Sequence, residues 1–312
     1  MRILLLGANG QVGFELTRSV APLGSLIVAT RVEGGAYPGA LRADLNDLDG
    51  LRATLAQSRP DVVLNAAAYT AVDQAEDDQD MAMRINAQAV GVLADHCASS
   101  GALLVHYSTD YVFDGSASQP WRENDAPSPL GVYGRSKLAG EIAIREADCA
   151  HLILRTSWVY AVRGQNFLRT MLRLGAEREH LSVVCDQIGA PTPARWIASA
   201  TALILARLGK PHAARETLHL TAGGEVSWHG FAEQIFQLAR QLGVLDRVPR
   251  VEAIHSDQYP TRARRPLYSL ARTIRHCAAG LARRGQAGDG GTCLIVPNRP
   301  AAVECSAAAR LF

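Results

Sequence analysis

The sequence predicts an α/β fold with a doubly wound parallel sheet and a smaller α/β region near the C-terminus. Over the first 160 residues, short apolar segments alternate with longer segments of helical spacing, and a glycine-rich turn joins the first strand to the first helix. Strands that are apolar along their whole length are buried on both faces, which is typical of parallel sheets covered by helices. This alternation predicts the doubly wound arrangement.

The elements follow in order along the chain. The predicted strands are residues 2–6, 26–30, 61–65, 102–108 and 151–156. The predicted helices are residues 11–23, 48–56, 81–99, 129–147, 197–208 and 228–242. Asn86 lies in the middle of the third helix, where asparagine is a poor helix former, so a structural hydrogen bond is its expected role.

Composition excludes several classes of protein. The 312 residues are 48% hydrophobic with a net charge of +2, and the body of the chain has no basic patch of the kind that binds nucleic acid. The longest apolar stretch, residues 196–208, is shorter than the roughly 20 residues of a membrane-spanning helix. Six scattered cysteines show no metal-binding spacing. We expect a cytoplasmic protein without membrane, nucleic-acid or metal partners.

Three glycines, Gly7, Gly10 and Gly13, lie between the first strand and the first helix. Glycine lets the backbone N–H groups approach a pyrophosphate at the positive end of the helix, so this turn predicts a Rossmann-type dinucleotide site. Arg31 closes the second strand, where it would meet the 2′-phosphate of NADPH or face solvent. Asp44 would contact the adenine end or cap the helix that begins at residue 48.

Tyr133 and Lys137 are four residues apart on a predicted helix, so they share one face. A neighbouring ammonium favours the phenolate, and we expect it to lower the pKa of Tyr133 towards the range of acid–base catalysis. The chain holds 30 Arg and only two Lys, so a Lys at this position indicates that a compact ammonium is needed.

Further polar or small residues follow the third and fourth strands. Either Ser108 or Thr109 would hydrogen-bond a substrate carbonyl, or both would only satisfy a turn. Residues 65–68, Asn-Ala-Ala-Ala, would let the backbone come close to a bound ribose or nicotinamide.

The order of these motifs, GxxGxxG, NAAA, STDYVFDG and YxxxK, resembles the extended short-chain dehydrogenases/reductases. Within that superfamily the chain is most similar to the family of dTDP-4-dehydrorhamnose reductases. The blocks that carry this narrower resemblance, within residues 1–268, are 65–73, 108–115, 154–160, 186–192 and 264–267.

The resemblance implies reduction of the C4 ketone of dTDP-4-dehydro-6-deoxy-L-mannose by NADPH or NADH, for cell-surface polysaccharide synthesis. It makes Tyr133 the proton donor, Lys137 its partner and the holder of the nicotinamide ribose, and Thr109 the group that polarises the carbonyl. The implied substrate contacts are Thr109, Asp110 and Trp158. The full predicted cofactor set is Gly7, Gly10, Gln11, Val12, Gly13, Arg31, Asp44, Leu45, Ala66, Ala67, Ala68, Tyr107, Tyr133 and Lys137.

The domain organisation predicted from these motifs has three parts. Residues 1–160 form the dinucleotide-binding domain, with possible later returns to it, and residues 161–268 mainly bind substrate. Residues 269–312 form an atypical tail rich in Ala, Arg and Gly that departs from the family pattern, as a shifted reading frame would.

Several alternatives stay open. Arg264 and Arg265 would meet the nucleotide phosphates or form a solvated charge pair. Some family members build a metal-bridged dimer from acidic residues; Glu15 matches one, but Arg195 replaces another, so no metal is predicted and the protein is a monomer or a homodimer. The alternative functions are a reductase or epimerase of another nucleotide sugar, and a regulatory subunit such as that of methionine adenosyltransferase.

Overall fold

The computed structural model describes residues 1–32, 36–208 and 211–272. Within these ranges no helix combines the length and apolar character needed to cross a membrane. The strands are β1 (Arg2–Leu6), β2 (Ser25–Thr30), β3 (Leu41–Arg42), β4 (Val62–Asn65), β5 (Leu103–Thr109), β6 (His151–Thr156), β7 (Val159–Tyr160), β8 (His180–Val184), β9 (Ile188–Gly189), β10 (Thr192–Pro193), β11 (Arg215–His219), β12 (Val226–Ser227) and β13 (Arg250–Ile254). The helices are α1 (Gln11–Ser19), α2 (Leu48–Ser58), α3 (Gln79–Met83), α4 (Ala89–Ser100), α5 (Val132–Glu146), α6 (Phe167–Glu177), α7 (Ala194–Arg207) and α8 (Trp228–Gln241).

Seven parallel strands form the central sheet in the order β11-β6-β5-β4-β1-β2-β3. The register places Leu4 of β1 between Ile27 of β2 and Val63 of β4. The chain builds outwards from β1 to one side and then, from β4, to the other. The strand order therefore reverses between β1 and β4, and in such sheets the crevice at the carboxyl ends of these strands binds ligands. The predicted doubly wound α/β fold is confirmed.

Apolar side chains cover both faces of the sheet. On one face, α2 and α4 contribute Leu51, Leu55 and Leu93 to a buried cluster. On the other, α1 and α7 pack together and contribute Leu16 and Ile197. Because α7 and β11 follow residue 160 but belong to this layer and this sheet, the chain returns to the central sheet after the segment that holds α6 and β8.

The prediction of one continuous helix over residues 81–99 is wrong, because the helix is interrupted between α3 and α4. Residues 84–88 form a π-helical segment between α3 and α4. Asn86 in this segment is buried: its side-chain oxygen accepts from Tyr69 N at 2.9 Å, and its amide donates to Tyr69 O and to Ser136 Oγ, both at 3.0 Å. A π-bulge adds one residue to a helical turn, here at the residue whose side chain bonds the segment after β4.

The smaller region has its own core, in which α6 and α8 pack beside the parallel pair β8–β13 around Phe231 and Phe236. Residues 269–272, beyond the predicted end of this region, pair with earlier parts of the chain. Ser269 N donates to Ile188 O at 2.9 Å, and Trp121 N donates to Leu270 O at 2.9 Å. Residues 273–312, most of the predicted tail, lie outside the described residues.

Candidate active site

The glycine turn between β1 and α1 needs its glycines for two physical reasons. Gly7 has φ +81°, and a Cβ there would lie 2.6 Å from Ala67 N. A Cβ on Gly13 would lie 2.1 Å from Gly7 O, so the first turn of α1 packs directly on the loop. Gly10 precedes the helix and donates its N–H to Gly7 O at 2.9 Å. The first N–H groups of α1 therefore open onto the crevice at the reversal of strand order.

The remaining predicted cofactor residues of the first half are less uniform. Ala66, Ala67 and Ala68 are half-buried directly after β4, and Arg31 is exposed at the end of β2. Leu45 is buried in the apolar cluster under α2. Asp44 does not cap α2, contrary to one of its two predicted roles. It accepts from Asn46 N in its own turn, whereas Asp47 accepts from Gly50 N and caps the helix.

Three of the predicted cofactor residues have side chains that already contact other parts of the protein. Gln11 accepts from Asn166 Nδ2 at 2.8 Å, which ties the start of α1 to the loop before α6. Val12 is half-buried against the cluster under α1 and α7. The Tyr107 hydroxyl contacts Thr201 Oγ1 on α7 at 2.8 Å, so the ring points away from α5 and only the Tyr107 carbonyl faces it.

Helix α5 carries Tyr133 and Lys137 on the side that packs against β5. Lys137 is 1% exposed, and its Nζ donates to Tyr107 O at 2.7 Å and lies 3.1 Å from His106 Nε2. Burial lowers the pKa of Lys137 to about 8, against the opposing charge of Glu141 one turn further along. The amine is therefore held by groups of β5 beneath the tyrosine.

The predicted lowering of the tyrosine pKa is wrong for the protein alone. Burial raises the pKa of Tyr133 to about 12; a hydrogen bond with Thr109 opposes this shift, and the charge of Asp110 adds to it. Lys137 does not offset these effects because its amine is directed at the Tyr107 carbonyl and at His106. Tyr133 is therefore a neutral phenol across the physiological pH range, which suits a proton donor.

Thr109 and Asp110 lie beside this phenol at the carboxyl end of β5. Thr109 donates to Asp110 Oδ1 at 3.1 Å, and Ser157 donates to Asp110 Oδ2 at 2.8 Å. Burial raises the pKa of Asp110 to about 6, although hydrogen bonds from Ser269, Ser157 and Thr109 act in the opposite direction. The Ser269 contact was not expected, since the sequence departs from the family pattern after Leu267.

Ser108 takes no part in this arrangement. Its hydroxyl donates to Glu141 Oε1 at 2.6 Å, and Arg155 donates to both oxygens of the same carboxylate at 2.9 and 2.7 Å. Arg145 adds a fourth hydrogen bond at 2.9 Å. Of the two predicted hydroxyls, Thr109 is thus the one beside Tyr133, and Ser108 anchors a buried ion pair behind α5.

Trp158 follows β6 with φ +45°, a conformation that few residues other than glycine adopt. Its ring stacks on Trp228 with centroids 3.4 Å apart, and a Cβ on Gly189 would lie 2.5 Å from Trp158 Cε2. Such backbone strain persists only where the surroundings hold it, and it is common at ligand sites. Trp158 is therefore a rigid, half-buried aromatic surface between the sheet and the smaller region.

The predicted phosphate-binding arginines differ from each other. Arg265 donates to Asp73 Oδ2 at 2.6 Å, is half-buried, and has a hydrogen bond with Tyr111. Arg264 is exposed. Glu15, the one acid matching the metal-bridged dimers, pairs with Arg18 at 2.7 Å, and Arg195 is exposed. Across the three described ranges, no group of three metal-ligating side chains comes together.

A dinucleotide fits this crevice because the glycine turn forms a cradle without side chains: Gly7 packs on the backbone after β4 and Gly13 on the turn itself, so backbone N–H groups at the start of α1 stay accessible. The fold, the cradle and the neighbouring Tyr133–Lys137 pair define a nicotinamide-dependent oxidoreductase of the extended short-chain dehydrogenase/reductase class. The model of the RmlD substrate binding domain family matches residues 1–284. Over 274 residues the chain is 48% identical to a dTDP-4-dehydrorhamnose reductase of Shigella flexneri, covering 88% of this chain and 90% of that one. The chain belongs to the dTDP-4-dehydrorhamnose reductase family.

Solved structures agree with this assignment. A dTDP-4-dehydrorhamnose reductase of Bacillus anthracis, in complex with NADP, has a TM-score of 0.78 at 32% identity over 90% of this chain and 97% of that one. The Clostridium acetobutylicum reductase has a TM-score of 0.77 at 34% identity over 88% and 91%. A Thermus thermophilus UDP-glucose 4-epimerase in complex with NAD, at 18% identity, TM-score 0.73 and 90% and 93% coverage, shares the fold.

Sequence reasoning missed two features of the site. His106 contacts Lys137, and Asn65 contacts His106, as a buried polar chain across β4 and β5. The available signal was a histidine inside an otherwise apolar strand. The anchor at Glu141 was also missed, although it lies one helical turn after Lys137 on the same face.

Proposed function

We propose that this protein reduces the C4 ketone of dTDP-4-dehydro-L-rhamnose to the alcohol of dTDP-L-rhamnose, using NADPH or NADH, for cell-surface polysaccharide synthesis. The observation that carries the proposal is the hydrogen bond between Tyr133 and Thr109, with Lys137 one turn further along α5, in a chain 48% identical to a dTDP-4-dehydrorhamnose reductase. An intact acid–base pair also favours catalysis over a regulatory role on the same fold.

The cofactor would be held by the glycine turn, the N-terminus of α1 and the backbone of residues 66–68. Arg31 would meet a 2′-phosphate, and Lys137 would hold the nicotinamide ribose. When bound, the reduced nicotinamide supplies a hydride to the ketone carbon. Gln11 would act by keeping the loop before α6 against the start of α1, through its bond with Asn166.

Tyr133 would deliver the proton to the developing alkoxide. An alkoxide is a far stronger base than a phenolate, so this transfer runs downhill even with the pKa of Tyr133 at about 12. The Thr109 hydroxyl would turn from Asp110 and donate a hydrogen bond to the same oxygen. This hydrogen bond would stabilise the negative charge on the oxygen before the proton arrives. Lys137, one turn further along α5, would stabilise the phenolate that remains once its amine turns from the Tyr107 carbonyl towards the bound cofactor.

The sugar would lie between the end of β5 and the smaller region, which is formed by residues 161–268. The buried carboxylate of Asp110 would accept hydrogen bonds from the hydroxyl groups of the sugar. The apolar ring of Trp158 would pack against the methyl group of the deoxysugar. Residues 1–160, completed by α7 and β11, would then bind the cofactor.

The test is a comparison of dTDP-, GDP- and UDP-linked 4-keto-6-deoxy sugars with each nicotinamide cofactor. We expect substrate-dependent loss of nicotinamide absorbance with dTDP-4-dehydro-L-rhamnose, and dTDP-L-rhamnose as the product by NMR. Faster turnover of a GDP- or UDP-linked sugar would assign the protein to another nucleotide sugar. No turnover of any sugar by protein that binds NADPH would contradict the reductase assignment.

A further inference from the structure

A buried chain of three side chains runs from β4 to the candidate catalytic amine. Asn65 Nδ2 lies 3.1 Å from His106 Nδ1, and His106 Nε2 lies 3.1 Å from Lys137 Nζ. All three residues are at most 1% exposed. Burial is the main cause that holds the pKa of His106 well below its usual range, so the ring is neutral and carries a single proton.

The position of that proton follows from the amide of Asn65. Its Oδ1 accepts the backbone N–H of Ala67 at 3.3 Å, which leaves Nδ2 to donate towards His106. An amide N–H₂ group can only donate, so His106 Nδ1 must accept. The neutral ring therefore carries its proton on Nε2, the nitrogen that faces Lys137.

This tautomer discriminates between the two forms of the lysine. A neutral amine has a lone pair that accepts from Nε2–H while Nζ still donates to Tyr107 O. An ammonium has three donors and no acceptor, so it would place an N–H against the Nε2–H. His106 Nε2 can accept a hydrogen bond from the ammonium only when the ring carries its proton on Nδ1. That tautomer requires a hydrogen-bond acceptor at the Asn65 position.

We propose that Asn65 and His106 are positioning residues that set the proton affinity of Lys137 through the tautomer of the His106 ring. The proposal rests on the proposed function, in which Lys137 stabilises the Tyr133 phenolate as an ammonium. The other charged or titratable groups around the amine are Glu141 and Tyr133 on α5, Arg155 on β6 behind Glu141, and Asp110 beyond Tyr133. Turning the Asn65 amide would convert the neutral-amine arrangement into the ammonium arrangement.

The first test reads the tautomer directly in the unmodified protein. Long-range ¹H–¹⁵N NMR of the full chain distinguishes a protonated from an unprotonated ring nitrogen, with His106 assigned by its loss in His106→Gln. The spectra are recorded at a pH above the pKa of Lys137, where the amine is neutral. We expect unprotonated Nδ1 and protonated Nε2. A ring protonated on Nδ1, alone or together with Nε2, would overturn the proposal, and this readout does not depend on the enzyme having the proposed substrate.

The second test inverts the tautomer. In Asn65→Asp the carboxylate can only accept, so the ring must carry its proton on Nδ1 and Nε2 can accept from the ammonium. We expect the alkaline limb of the kcat/KM profile to move up by about one pH unit, in line with the effect of a neighbouring acceptor or charge.

The double variant Asn65→Asp/His106→Gln separates the tautomer from the added negative charge, because the charge remains and the ring is gone. We expect the shift to be largely lost in the double variant. An unshifted limb in Asn65→Asp, or a full shift in the double variant, would contradict the role of His106. Absent turnover of dTDP-4-dehydro-L-rhamnose by the wild-type protein would instead contradict the proposed function, and leave the NMR result to decide the tautomer.

Discussion

Glu141 is the anchor on which the position of α5 depends, and its substitution gives a sharp prediction. Its carboxylate has no exposed surface and accepts four hydrogen bonds, two of them from Arg155, whose side chain is 2% exposed. Burial opposes its ionisation, but the hydrogen bonds and charge of Arg155, with Ser108 and Arg145, outweigh burial and lower the pKa of Glu141.

Replacing Glu141 by Gln keeps the volume and removes the charge, so Arg155 is left as a buried cation without its counter-ion. Breaking one side of a buried pair costs about 3–5 kcal/mol, and we expect about 3 because Arg155 also donates to Glu123 O at 3.3 Å. With an unfolding entropy of about 2.1 cal/mol/K per residue, about 3 kcal/mol corresponds in a chain of 312 residues to a fall in Tm of roughly 5 °C.

The assay is thermal unfolding followed by circular dichroism, with Glu177→Gln as the matched control. Glu177 also pairs with an arginine one turn away, but both side chains are more than half exposed, so its loss changes stability by at most about 0.5 kcal/mol. Because the pKa of Glu141 is lower in the folded state, its stabilisation is present at neutral pH and is lost as the pH falls through the acidic range. Equal Tm values for Glu141→Gln and Glu177→Gln would show that the buried Glu141–Arg155 pair stabilises the fold no more than an exposed pair does.

Three further predictions concern the cofactor and the amine. Gly13→Ala places a Cβ 2.1 Å from Gly7 O and should weaken NADP binding by about tenfold or more, whereas Gly223→Ala, with no atom within 4 Å, should bind as wild type in calorimetry. Arg31→Ala should raise the KM for NADPH about tenfold, the value of one charged hydrogen bond, and leave the KM for NADH unchanged; equal changes for both cofactors would count against a 2′-phosphate contact. Lys137→Arg should lower kcat with the fold retained in circular dichroism, because a planar guanidinium cannot replace a compact ammonium in this space, and wild-type kcat would contradict that requirement.

Five of the seven strands of the sheet could be predicted because each has a local apolar signal. The other two were missed because β3 has only two residues and β11, with the sequence Arg-Glu-Thr-Leu-His, is not an apolar run. The strand 151–156 was predicted with its observed bounds, and the apolar run 2–6 likewise. Helices were predicted less well where a tertiary contact intervenes, as at Asn86, whose bonds to the segment after β4 accompany a π-bulge that periodicity does not show. The first helix ends at Ser19, three residues before Pro22, instead of continuing to residue 23.

The site shows the same division. Glycine spacing and the YxxxK pattern indicate which residues approach the crevice, because both depend on neighbours in sequence. Whether Ser108 or Thr109 faces Tyr133 depends on which side of β5 each occupies relative to Glu141. The direction of the tyrosine pKa shift depends on burial and on where the lysine amine points, and neither is encoded in a four-residue spacing.

The role of Tyr133 as proton donor is tested by the Tyr133→Phe variant, assayed for nicotinamide oxidation with saturating dTDP-4-dehydro-L-rhamnose. Loss of the proton donor should lower kcat by about a hundredfold or more, while NADPH affinity measured by fluorescence titration stays at the wild-type value. A Tyr133→Phe enzyme that turns over at the wild-type rate would show that the proton comes from another group, and the assignment of the site would then be wrong.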